Sequence, residues 1–170
     1  MNSIKLCQRS NIPPRIAIFL MLLAFTGIAS SGNEAVMAIE WKDLIPAGWE
    51  EPLLAPEPNE EHEHHVDAES LNAGIDGRRI KFPGYMVPVK FTDNQVQEFI
   101  LVPFLEHHVQ RHAHHNPNQM AYVKLQDPVE ITNPYAPYWV TGDIGLTSVE
   151  TDEGPTGYLI SSANIEIYVY

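Results

Sequence analysis

Apolar residues are distributed along this chain in two ways. Between Ile16 and Ala29 they form one nearly unbroken run, preceded by the basic residues Lys5, Arg9 and Arg15. From Arg79 onward they come in short stretches with a period of two, the pattern of strands that bury one face. In the first stretch, Arg79 to Phe91, Ile80 and Phe82 face inward on even numbers, and Tyr85, Val87, Val89 and Phe91 on odd numbers. Side chains alternate along a strand, so this predicts a switch of parity, and a bend, at Pro83-Gly84. Val96 to Phe104 is apolar on both faces from Phe99 to Val102 and predicts the most buried strand. Ala121, Val123 and Leu125 face inward in a third stretch. Val140, Ile144 and Leu146 share a face in a fourth, where Gly142 allows a close approach. Tyr158 to Tyr170 sets Ile165, Ile167 and Val169 against Glu166 and Tyr168. Turn residues separate the stretches at Gly74 to Gly77, Thr92 to Gln95 and Thr151 to Gly157.

Together these predict an all-β fold: a small barrel of five to six strands, OB-like (the oligonucleotide/oligosaccharide-binding type), spanning residues 70–170. Upstream, Trp41, Leu44, Ile45 and Trp49 have helical spacing cut short by Pro46 and Gly48. A single helical turn that plugs one end of the core is expected there.

The segment 1–38 has the basic start and short apolar run of a secretory signal, too short for a comfortable span of about 20 apolar residues. Cleavage is expected after Ala38 or nearer Ala29, the alternative being an uncleaved anchor. Cys7 precedes the apolar run, which disfavours lipoprotein attachment and leaves the processed chain without a thiol. An exported domain of this kind relies on its core rather than on disulfides, and no stable membrane insertion is expected after cleavage. The formal charge is −12. Removing the leader takes away Lys5, Arg9 and Arg15 against Glu34 alone, so the processed chain is more acidic still. Such a surface repels phosphate backbones, which argues against nucleic acid as a partner. Residues 39–69 form an N-terminal segment whose later part, rich in Pro, Glu and His, predicts a disordered acidic linker.

Histidine carries the candidate chemistry. Between Pro103 and Met120 lie His107, His108, His112, His114 and His115, set between two strand-like segments. A core cannot absorb imidazoles at this density, because each ring has polar nitrogens that need partners. A loop that binds a divalent transition metal, zinc foremost, is the sharper reading. A helical loop would put His108, His112 and His115 on one face, and an extended one would align His112 with His114. Glu106 is a further candidate, as ligand or as a partner that orients a ring. A second tract, Glu60 to His65, mixes His62, His64 and His65 with carboxylates and resembles loose metal-capture sequences. The plain alternative for both tracts is solvated polar chain. No helical His-Glu-x-x-His motif or other hydrolase signature is present, so a non-enzymatic role is expected.

Four pieces carry a resemblance: Trp41 with Leu44 to Pro46, Phe82 to Pro88, Glu98 to Pro103, and Pro117 to Gln119 with Tyr122-Val123. In that order they resemble an uncharacterised family of exported bacterial domains, one of the domain-of-unknown-function families. The resemblance implies a periplasmic or envelope domain, encoded in many cases beside ABC-transporter permeases and linked in some members to zinc uptake. It implies no catalysis. Members of that family carry a Cys-Ile-His tripeptide followed by prolines, where this chain has His108-Val-Gln110 and then Arg111 to Asn116. Thiol chemistry therefore does not carry over, whereas metal binding by imidazole can. The expectation is a metal-binding accessory protein with an ABC-transporter permease as possible partner. The alternative is an envelope adaptor with incidental histidines, using exposed aromatics such as Tyr135, Tyr138 and Trp139.

Overall fold

The structure, a computed structural model, describes residues 35–50, 66–105 and 115–169. They belong to one compact unit, Asn33–Tyr170. Six strands form a single sheet: β1 (Met37–Ala38), β2 (Arg79–Thr92), β3 (Gln95–Val102), β4 (Ala121–Glu130), β5 (Pro137–Gly145) and β6 (Tyr158–Ile167). Their order is β1-β2-β3-β4-β6-β5, and β5 pairs back onto β2 to close a five-stranded barrel with β1 added. The expected all-β, OB-like barrel is what the chain forms. Closure depends on the long β2, whose first half, Arg79 to Tyr85, pairs with β5 while Tyr85 to Thr92 pairs with β3. One strand serving two neighbours in succession is how a short sheet closes without leaving an edge.

Before the barrel, β1 runs parallel to β2, pairing Met37 and Ala38, residues of the expected leader, with Ile80 and Lys81. The Ile39 N–H then donates to Lys81 O at 3.1 Å. Two residues on, the Trp41 indole N–H donates to Pro83 O at 2.7 Å, so a side chain continues the ladder where the backbone leaves it. Trp41–Leu44 is the expected single turn, a 3-10 helix. Trp41 meets Phe82 edge-on with centroids 4.9 Å apart, and Leu44 is fully buried.

The interior is filled by Ile80, Phe82, Phe99, Leu101, Val123, Val140, Tyr158 and Ile160, among others. Phe99 to Val102 is buried throughout, as its two-faced apolar pattern predicts. A second apolar cluster lies apart from the first and contains Ile100, Val102, Leu105, Met120 and Tyr122, with Tyr85, Val87, Val149 and Leu159 packed against it. This outer cluster explains a correction. There is no parity switch at Pro83-Gly84: Ile80, Phe82, Gly84 and Met86 are all buried, on even numbers. Tyr85 and Val87 are apolar because they pack in the outer cluster, while Val89 and Phe91 are exposed beyond the barrel. The ladder irregularities come later, between Pro88 and Phe91.

In β6 the inward residues are Tyr158, Ile160 and Ala163, whereas Ile167 and Val169 are exposed and Ile165 is only partly buried. Ser162 takes a left-handed φ of 49° between Ile160 and Ala163, and this bulge reverses the strand's parity. Gly142 lies across from the bulge. A Cβ there would stand 2.6 Å from Ile160 Cγ2 and 2.9 Å from Ser161 O, so the expected close approach is real. Leu146 lies beyond the end of β5 and is exposed rather than inward.

Candidate functional site

The histidine-rich connection joins β3 to β4, and its described ends are Pro103 to Leu105 and His115 to Met120. Each end is fastened. Leu105 and Met120 are both buried in the outer cluster. Phe104 and His115 are in ring contact, with centroids 4.4 Å apart. Residues Pro117–Gln119 form a 3-10 turn, with proline at its start where a missing N–H costs nothing. That turn is tied down twice more: Gly157 N–H donates to Pro117 O at 2.7 Å, and Gln119 Nε2 donates to Trp41 O at 3.2 Å. The two described ends of the connection thus lie within one small area.

Residues on either side of the second tract in sequence are bonded to each other. Asn72 N–H donates to Leu44 O at 3.1 Å, and Asn72 Nδ2 donates to Asp43 O at 2.7 Å. The buried Tyr158 hydroxyl locks the join, accepting from Asn72 N–H at 2.8 Å and donating to Leu44 O. Burial raises the Tyr158 hydroxyl to about 12, so it stays a donor over the working pH range. The two necks adjoin. A Cβ on Gly157 would lie 2.6 Å from Leu71 Cδ2 and 2.7 Å from Pro117 O, so all three share one contact. The described residues Leu44, Leu71 and Asn72 therefore lie close to the Pro117–Gln119 turn.

Of the expected ligands, His115 is described and half-buried at the foot of the loop. His107, His108, His112, His114, His62, His64, His65 and Glu106 lie outside the described residues. Among the described residues, no group of three or more His, Cys, Asp or Glu side chains is placed to hold a metal ion. The exposed aromatics are corrected in part: Tyr135 is exposed, but Tyr138 is buried, its hydroxyl donating to Asn133 O at 2.7 Å. Trp139 is half-buried, 5.0 Å from the Tyr168 ring and beneath the Lys81 ammonium.

Sequence reasoning missed a polar pair beside the outer cluster. Tyr122 donates its hydroxyl to Glu98 Oε2 at 2.7 Å, and Lys90 Nζ reaches Glu98 Oε1 at 3.3 Å. The Tyr122 hydrogen bond, aided by Lys90 and opposed by burial, holds the Glu98 carboxyl below its ordinary range. Burial, then Glu98, pushes Tyr122 up to about 12. A carboxyl with a lowered folded pKa contributes stability above its unfolded value and loses it as pH falls. The stability gap between wild type and Glu98→Gln should therefore be widest near neutral pH and close as pH drops below 4.5. Urea unfolding at a series of pH values measures this, and a gap independent of pH would refute it.

A sequence profile described as protein of unknown function (DUF3299) matches residues 41–167. A crystal structure of a DUF3299 family protein from Pseudomonas aeruginosa PAO1, at 2.45 Å resolution, is similar with a TM-score of 0.63 and 27% identity. The similarity covers 80% of this chain and 98% of that one. No curated protein matches the chain. Among the described residues, no helix is long and apolar enough to cross a membrane. The match spans the end-plug turn and the barrel strands β2 to β6, and the chain belongs to the DUF3299 family.

Proposed function

We propose that this protein is an exported, periplasmic, non-enzymatic accessory domain that binds a divalent transition metal, zinc in the first instance. The main ligands are His107, His108, His112, His114 and His115, with His62, His64 and His65 as a weaker capture site. The observation that carries this reading is the fastening of the loop at both feet, with Phe104 and His115 in ring contact. Each extended residue spans at most about 3.5 Å, so a loop over 106–114 with its feet together keeps every Cα within roughly 18 Å of them. Imidazoles confined to such a volume are at high effective concentration, which favours joint coordination over solvation by water. The adjoining neck at Leu44 and Asn72 supports the same reading for the second tract. The receiving partner on this view is an ABC-transporter permease, which the family resemblance suggests.

The test is calorimetric titration of zinc into wild type and into a variant with all five loop histidines changed to alanine. Wild type should bind with a heat that fades below about pH 6, where protons compete for imidazole. The variant should lose most of that heat, and equal heats in both would sink the proposal.

A further inference from the structure

We infer that a groove beside the β2–β3 hairpin docks a segment of a partner protein in which arginine adjoins apolar residues. The groove, of about 500 Å³, lies between that hairpin and residues 131–136, the connection from β4 to β5. It sits at the opposite end of β3 and β4 from the histidine-rich connection and does not depend on the metal reading. β2 pairs with β5 only as far as Tyr85, and from there to Thr92 its ladder is to β3 alone. One edge of this stretch therefore has no strand beside it among the described residues. Apolar side chains stand exposed along it: Val89 is 43% and Phe91 61% exposed. Phe91 and Pro88 line the groove together with the buried Val96 and with Ile131, which packs on the inner core. Ile131 N–H donates to Asn94 O at 2.9 Å and ties the connection to the hairpin.

Charge selects the occupant. Asp93 and Glu130 line the same groove, and neither is paired with a basic side chain among the described residues. Lys90, between Val89 and Phe91, is engaged with Glu98 at 3.3 Å instead. A guanidinium both stacks on an aromatic ring and forks onto a carboxylate, so an exposed phenyl beside two acids suits arginine. The apolar neighbours of that arginine would cover Phe91, Val96 and Ile131. A second copy of this chain fits badly, because each copy carries a formal charge of −12 and would set carboxylates against carboxylates. The open edge is also guarded against strand addition. Pro88 lacks an N–H, and the ladder is irregular on both sides of Lys90. Recognition therefore runs through side chains in the groove rather than through a shared ladder.

The test is fluorescence anisotropy with a capped, labelled peptide of alternating Arg and Leu, compared with Arg-Ser and Glu-Leu peptides of equal length. Wild type should bind the Arg-Leu peptide at least about tenfold more tightly than either of the others. Phe91→Ala, and separately Asp93→Asn/Glu130→Gln, should each weaken that binding by roughly tenfold or more. Asparagine tolerates the left-handed φ of 54° at Asp93, so the turn survives the substitution. Asp152→Asn/Glu153→Gln removes the same charge from an exposed turn elsewhere and should change affinity by less than about twofold. Equal losses in the two charge variants would reduce the effect to diffuse attraction and overturn the inference. So would full affinity in Phe91→Ala, equal binding of the three peptides, or no binding of the Arg-Leu peptide by wild type. A dimer in sedimentation equilibrium that Phe91→Ala dissociates would assign the groove to a second copy and overturn it as well.

Discussion

Replacing Phe82 by alanine is expected to lower the unfolding free energy by about 3–5 kcal/mol, the range for removing a fully buried phenylalanine. Phe82 is wholly buried, lies across from Val140 on β5 and supports the edge of Trp41 at 4.9 Å. The loss would reach past the cavity itself. Trp41 bonds through its indole to Pro83 O and through its carbonyl to Gln119. Loosening that ring loosens both the end-plug and the foot of the histidine loop. Phe91→Ala is the control, since Phe91 is 61% exposed and should change stability by no more than about 0.5 kcal/mol. Urea unfolding of the two variants decides the matter: equal midpoints would mean that the interior is not organised as described.

Gly157→Ala should cost about 1–3 kcal/mol, the usual range for overpacking, and should also weaken zinc binding. Its new methyl would stand 2.6 Å from Leu71 Cδ2 and 2.7 Å from Pro117 O. The leucine can turn aside, but the carbonyl belongs to a turn that is bonded at both ends and accepts from Gly157 itself. Relief must come from shifting Pro117, which moves the foot that carries His115. The expected result is therefore coupled: a lower urea midpoint together with a weaker zinc isotherm. A destabilised variant with unaltered zinc affinity would show that the foot does not govern the loop.

The strands were legible in the sequence because alternation is a local signal, and most of their limits follow from turn residues such as Asp93-Asn94, where Asp93 takes a φ of 54°. Which face points inward was harder to read wherever a strand packs on both sides. Tyr85 and Val87 are as apolar as Phe82, and only the outer cluster, built from distant strands, explains why they lie outside the barrel. The reversal in β6 was equally hidden, because Ser161-Ser162-Ala163 carries no glycine to mark a left-handed residue. At the candidate site, the proposed ligands come from composition alone, since imidazoles in a short polar stretch read the same in any fold. Its anchoring is not. The contacts of Gln119 with Trp41 and of Gly157 with Pro117 are tertiary, and nothing in Pro117 to Gln119 alone reveals them.

X-ray absorption at the zinc edge, on tag-free protein loaded with one equivalent of zinc, probes most directly whether loop imidazoles grip one ion together. Nitrogen ligands at about 2.0–2.1 Å, with the outer-shell scattering of several imidazole rings that vanishes in the five-histidine variant, is the outcome expected. A shell of oxygen ligands that is the same with and without those histidines would contradict it.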